Sequence, residues 1–281
     1  MKILVTGAKG QLGQDVEKVL TRRGIDYKGV DVKDFDITDR SALFHAIGEY
    51  NPDAVIHCAA YTAVDKAEDE PELCRRINEL GTKYIAEACK KVNAKMLYIS
   101  TDYVFPGKGE HFHKIDDPVG PTSVYGNTKL GGEMAVRETL EKYFIVRISW
   151  VFGENGVNFV KTMLRLGSER DSINVIGDQI GSPTYTVDLA PLLCDMAVSE
   201  KYGIYHATNE GTCSWAGFAQ EVFRLANLPT QVNSIPTSEY PTKAVRPANS
   251  RLDKSDLDVA GFYRLPEWND ALERYLKTRS S

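Results

Sequence analysis

A short apolar run, Lys2-Ile3-Leu4-Val5-Thr6, opens the chain and breaks directly into Gly7-Ala8-Lys9-Gly10-Gln11-Leu12-Gly13, ahead of a helical stretch over 14–23. Three glycines at this spacing constrain the fold more than any other feature. Without Cβ atoms the backbone turns tightly and lets a ligand approach it. The helix start then offers unpartnered N–H groups and the positive end of its dipole. A glycine pattern alone is weak. Its place between a buried strand and a helix is the context that a dinucleotide pyrophosphate requires. Gly7, Gly10, Gln11, Leu12 and Gly13 are therefore candidate cofactor contacts.

Alternation continues through the first half. Strands are predicted over 27–30, 53–59, 95–100 and 144–149, and helices over 41–50, 71–92 and 129–143. Short strands alternating with helices predict an α/β fold with a doubly wound parallel (Rossmann) sheet. Past Val151 the pattern loosens into short apolar pieces among Gly and Pro turns, with helices expected over 158–166, 187–198 and 214–225, Ser214 being placed to cap the last. The expected division is 1–151 for the dinucleotide-binding domain, with the 187–198 helix free to return to it, and 152–281 mainly for a smaller α+β substrate lobe.

In such a sheet, ligands sit beyond the carboxyl ends of the strands. Asp31 ends the second strand eighteen residues after Gly13, near the spacing at which an acid bonds a ribose 2′-OH. It favours NADH, whereas Lys33 offers a charge for the 2′-phosphate of NADPH, so both cofactors stay open. Asp36 and Ile37 are candidates for the adenine side, with helix capping the competing role for Asp36. Ala60, Tyr61 and Thr62 follow the third strand and join the candidate cofactor set.

Composition narrows the partners. Of 281 residues, 42% are hydrophobic and 26% charged, with a net charge of −5. That balance gives no bulk attraction to nucleic acid or anionic membranes. No apolar stretch has the roughly 18 residues needed to cross a bilayer, and the N-terminus lacks signal-peptide anatomy. Five scattered cysteines form no CxxC pair and no zinc spacing. The expectation is a reduced, cytoplasmic protein acting on a small molecule.

Tyr125 and Lys129 are four residues apart, on one face if helical. A carbonyl reductase needs a proton donor for the oxygen as hydride reaches the carbon. Tyrosine serves if its pKa, ordinarily about 10, is lowered by a neighbouring ammonium. Any Tyr and Lys at this spacing would be weak evidence. It strengthens with Ser100-Thr101-Asp102-Tyr103-Val104-Phe105, which ends the fourth strand 24 residues upstream of Tyr125. A hydroxyl there can bond the substrate oxygen, Thr101 being the first choice and Ser100 the second.

The chain resembles the dTDP-4-dehydrorhamnose reductase family of extended short-chain dehydrogenases over nearly its whole length. The resemblance rests on Gly10–Gly13, 61–68, 100–107, 125–130, 147–151, 158–164 and 246–252. It implies NAD(P)H-dependent reduction of the 4-keto group of dTDP-4-dehydro-L-rhamnose to dTDP-L-rhamnose, supplying cell-surface polysaccharide. It further implies Tyr125 as proton donor, Lys129 as its partner and a ribose contact, and Thr101 and Asp102 at the sugar. Trp150 would pack on the sugar, and Asn158, Lys161, Arg246 and Arg251 would hold the nucleotide and diphosphate. Some members bind Mg²⁺ at a dimer interface. Asp15 and Asp188 lie near such positions, but no full acidic set is matched and no metal is expected; a homodimer stays open. The rivals are another sugar-nucleotide reductase or epimerase, and a non-catalytic NADP-binding regulatory subunit. Dehydration is disfavoured because Asp102 is followed by Tyr103 rather than by a second acid.

Overall fold

A computed structural model of the protein describes residues 1–279. Its main sheet has six strands: β1 (Lys2–Thr6), β2 (Asp26–Val30), β3 (Ala54–His57), β4 (Lys95–Thr101), β5 (Tyr143–Ile148) and β6 (Gly203–His206). Every pairing is parallel, in the order β6-β5-β4-β3-β1-β2. The order reverses between β1 and β3, which opens a crevice at their carboxyl ends.

Period-2 alternation sends successive strand residues to opposite faces. Ile3, Val5, Ile56, Leu97 and Val146 pack on one side against α1 (Gln11–Arg22) and α5 (Thr186–Val198). Leu4, Val55, Met96, Tyr98 and Ile145 pack on the other against α2 (Arg40–Tyr50), α3 (Thr82–Val92) and Val136 of α4 (Val124–Thr139). On packing grounds, residues 186–206 thus sit with the first unit: α5 returns to it, and β6, a strand the sequence pattern does not reveal, closes the sheet edge. The second unit has its own core of Phe152, Val160, Met163, Phe218, Val222 and Tyr275, under helices Phe159–Glu169, Trp215–Leu225 and Trp268–Arg279. Ser214 caps the middle one, accepting from Gly217 N at 2.9 Å.

Two helices depart from their expected form. The single helix expected over 71–92 contains a π-helical turn at Arg76–Gly81. It places Asn78 so that its side chain accepts from Tyr61 N at 2.8 Å and donates to Tyr61 O and Thr128 Oγ1. The helix expected from 129 starts at Val124, capped by Ser123, whose hydroxyl accepts from Gly126 N at 3.1 Å. Glycine disfavours helix intrinsically, yet a Cβ on Gly126 would strike the Tyr103 carbonyl, so close packing on the end of β4 requires it. A bidentate ion pair fixes α4 on the sheet: Arg147 of β5 donates to both Glu133 oxygens at 2.9 and 2.7 Å, and Ser100 donates to the same carboxylate at 2.5 Å. That use of Ser100 leaves Thr101 as the strand-end hydroxyl facing the cleft.

Candidate active site

The glycine turn forms as its sequence demands. Gly7 adopts φ +66°, and a Cβ there would stand 2.6 Å from Ala59 N; a Cβ on Gly13 would overlap the Gly7 carbonyl. Gly10 precedes α1 with no side-chain cap. The first-turn N–H groups therefore point outward without side-chain acceptors, a cradle that fits a pyrophosphate. A cleft of about 400 Å³ extends from it, lined by Thr6, Lys9, Asp31, Asp36, Ile37, Ala59 and Ala60 among others. Asp31 accepts from Lys9 N at 3.0 Å and Val32 N at 2.8 Å, tying the glycine turn to the end of β2. Asp36 does not cap α2. Asp39 does, accepting from Ser41 N and Ala42 N, while Asp36 accepts from Thr38 N. Lys9 lines this cleft and Lys33 does not.

A second cavity, also about 400 Å³, shares Gly10, Cys58 and Ala60 with the first and holds Thr62, Thr101, Asp102, Tyr125, Lys129 and Trp150. Tyr125 and Lys129 come together on α4. The electrostatics differ from the expectation that Lys129 depresses Tyr125. Lys129 is 2% exposed and donates to Ile99 O at 2.7 Å, 4.1 Å from the Tyr98 ring centroid. Burial pulls its ammonium down to about 7. Burial and the Asp102 carboxylate push the Tyr125 phenol up, opposed by a hydrogen bond with Thr101. The protein alone thus holds a neutral phenol.

Asp102 is buried, and both its oxygens are engaged, one accepting from Thr101 at 2.9 Å and the other from Ser250. Burial raises its carboxyl to about 6. Trp150 takes a left-handed φ of +50° and stacks on Trp215 with centroids 3.7 Å apart. The pair walls the reaction cavity from a third of about 790 Å³, lined by Trp215, Arg170, Gln179, Tyr240 and Arg246. Arg246 donates to Asp65 at 2.6 Å and to Tyr103 Oη at 3.4 Å.

Other expected contacts fall elsewhere. Asn158 caps helix Phe159–Glu169 and donates to Gln11 Oε1 at 2.9 Å, joining the two units behind the glycine turn. Lys161 is spent on the carbonyls of Glu154 and Gly156, both at 2.7 Å, and Arg251 donates to Asn249; neither lines the three cavities. Tyr61 donates its hydroxyl to Glu70 at 2.8 Å, so its backbone, held by Asn78, is what faces the β3 end. Asp15 accepts from Lys18 and Thr186, and Asp188 from Arg274 and Asn209, so both acids are paired within the fold. Sequence reasoning missed Trp215, Asp65 and Ser250. Asp65 and Ser250 lie inside the 61–68 and 246–252 blocks, but their partners Arg246 and Asp102 are 181 and 148 positions away, and Trp215 lies outside every block, so nothing local marked these contacts.

The model of the RmlD substrate binding domain matches residues 1–281. The chain belongs to this RmlD family. A dTDP-4-dehydrorhamnose reductase of Streptomyces griseus is 44% identical over 276 residues, spanning 96% of this chain and 91% of that protein. The Bacillus subtilis spore coat polysaccharide biosynthesis protein SpsK is 42% identical over 280 residues, spanning 100% and 98%. The crystal structure of a Bacillus anthracis dTDP-4-dehydrorhamnose reductase in complex with NADP superposes with a TM-score of 0.95 at 42% identity, covering 99% of each chain. In this RmlD-family protein the glycine cradle, the Tyr125–Lys129 helix and the Thr101 strand end border two adjoining cavities that share Gly10, Cys58 and Ala60.

Proposed function

We propose that the protein reduces the 4-keto group of dTDP-4-dehydro-L-rhamnose to dTDP-L-rhamnose, using NADPH or NADH, for cell-surface polysaccharide. The carrying observation is that the glycine-turn cleft and the cavity that holds Thr101, Tyr125 and Lys129 adjoin, sharing Gly10, Cys58 and Ala60 in their walls. A dinucleotide held by the glycine turn would supply the hydride and, once oxidised, a positive charge. Tyr125 gives its phenolic proton to the 4-oxygen as that oxygen becomes an alkoxide. Thr101 steadies the phenol, and Lys129 supplies a buried ammonium beside it. Trp150 closes over the sugar, while Arg246 faces the anionic nucleotide. Lys9 and Asp31 at the cleft rim offer opposite charges to a 2′-phosphate, so cofactor preference is measured rather than assumed.

A non-catalytic NADP-binding subunit has no use for a buried hydroxyl, a half-buried phenol and a buried amine converging on one cavity. Among the described residues no helix is long and apolar enough to cross a membrane. A reduced, cytoplasmic setting suits five unpaired cysteines, and a homodimer is proposed with it, to be checked by light scattering. The deciding assay follows NADPH and NADH oxidation with dTDP-4-dehydro-L-rhamnose and with the same sugar free of its nucleotide. Rapid turnover of the first alone supports the proposal, and equal kcat/KM for both sinks the sugar-nucleotide assignment.

A further inference from the structure

The segment 107–120, which links β4 to α4, carries His111, His113 and Asp117. The fold gathers one ligand atom from each within 4.8 Å of the others. His111 Nε2 lies 3.3 Å from Asp117 Oδ2, and His113 Nδ1 lies 3.7 Å from the same oxygen. Around a tetrahedral zinc-type ion with bonds of about 2.0–2.2 Å, ligand atoms stand roughly 3.3–3.6 Å apart. Two of the three separations are already near that range, and the third is within 4.8 Å, with His111 exposed and so able to adjust.

The ligands are held from several sides. His113 is 2% exposed, and its ring stacks on Phe105 at 4.4 Å and 4°. Its backbone is clamped to the 251–253 segment by hydrogen bonds to Arg251 O and from Asp253 N. Asn249 donates its side-chain amide to the His111 carbonyl at 2.8 Å, and Asp117 Oδ2 accepts from Lys114 N at 3.0 Å. None of the three residues lines the reaction or nucleotide cavities.

We propose that His111, His113 and Asp117 form a binding site for a divalent transition-metal ion of the zinc type, with a fourth position left to water. Two imidazoles and one carboxylate select Zn²⁺, Co²⁺ or Ni²⁺ over Mg²⁺ and Ca²⁺, which prefer all-oxygen shells. The ion cross-links the 111–117 turn to itself, and the backbone of His113 carries that turn on the 249–253 segment, whose Ser250 donates to Asp102. Its role is therefore structural, one residue contact removed from the reaction cavity. The sequence spacing, His-x-His-x₃-Asp, follows no common zinc pattern, which is why only the fold shows it.

The test uses full-length, tag-free, chelator-treated protein, titrated with CoCl₂ in excess Mg²⁺ and then displaced with ZnCl₂. Expected are one Co²⁺ per chain with visible d–d absorption, displacement by one Zn²⁺, and a Zn²⁺-dependent rise in Tm. His111→Ala, at an exposed position, and Asp117→Asn, a half-buried but isosteric change, should each weaken binding at least about tenfold, the lower end of the loss seen when even outer-sphere partners are removed. They should also abolish the Tm rise while leaving the metal-free Tm unchanged. Absence of saturable 1:1 binding overturns the proposal. So does binding that both variants leave intact, since the ion then sits elsewhere.

Discussion

Lys129 donates its ammonium to the carbonyl oxygen of Ile99 at 2.7 Å, a bond that anchors α4 to the end of β4. With burial pulling the group down to about 7, its charge is present below that pH and lost above it. An anionic dinucleotide prefers the charged form. Cofactor affinity should therefore fall as pH rises through about 7, and the dependence should vanish in Lys129→Met. Fluorescence titration of NADPH from pH 6 to 9 measures it, and identical profiles in both proteins would leave Lys129 only a packing role.

Tyr125→Phe keeps the ring and its edge-on packing against Tyr103, 5.4 Å between centroids. It removes the proton. General-acid catalysis is worth about 10²–10⁴-fold, so kcat should fall by that factor with cofactor binding nearly intact. Near-normal single-turnover rates would remove Tyr125 from the mechanism.

Asp31→Ala should weaken NADH more than NADPH. The carboxylate can accept from a free 2′-OH and repels a 2′-phosphate. A charge-assisted hydrogen bond is worth about 1.5–3 kcal/mol, or roughly 10- to 100-fold in NADH affinity. Because Asp31 also holds Lys9 N, some loss for both cofactors is expected. Equal losses would mean that only the turn was disturbed.

Arg246→Ala should lower kcat/KM for the nucleotide sugar by roughly 10- to 100-fold if the guanidinium contacts the substrate. Remote contacts also position the carbonyl, so kcat should fall along with a rise in KM. Asp65→Asn is the control: it breaks the 2.6 Å ion pair yet leaves the arginine in its cavity. A large loss in Asp65→Asn and none in Arg246→Ala would reverse the assignment.

Stability should decline on acidification below about pH 6.5. His57 and His206 are buried, and burial lowers both to about 3. Depressed histidines contribute stability that is fully present above their unfolded pKa and lost as pH falls toward the folded one. Asp102 runs the other way: raised to about 6, it binds a proton in the folded protein first. From about pH 6 to pH 5 the unfolded chain carries two histidine protons against one on the folded Asp102, so stability should drop by about 1.4 kcal/mol per pH unit. Urea midpoints at pH 7, 6 and 5 give the slope, and a flat profile contradicts the burial of these rings.

Much of the site was legible without coordinates, because its requirements are local. A glycine turn needs residues lacking Cβ at fixed offsets, and a Tyr–Lys pair needs one helical turn. A strand-end hydroxyl is written in Ser100-Thr101, and the Ser100 contact with Glu133 then separates the two. The two helices that departed from expectation did so where tertiary contact overrode propensity: Gly126 is held in a helix by the Tyr103 carbonyl, and Asn78 sits in a π turn that serves Tyr61 and Thr128. Both outcomes depend on partners remote in the chain.

The sequence by itself determined the parallel α/β class, the glycine cradle and the one-face spacing of Tyr125 and Lys129, since each is written in local pattern, whereas it left Ser100 and Thr101 as alternatives until Glu133 took the Ser100 hydroxyl. Tertiary structure alone decided the rest. It returned α5 and β6 to the first sheet, stacked Trp150 on Trp215, and spent Lys161 on loop carbonyls. It also paired Arg246 with Asp65, 181 positions apart, and brought Ser250 to Asp102. These depend on which surfaces meet when the two units pack, and side-chain type along the chain does not encode that meeting locally. A lysine suited to phosphate and a lysine suited to a loop carbonyl are the same residue until the fold places an acceptor beside one of them.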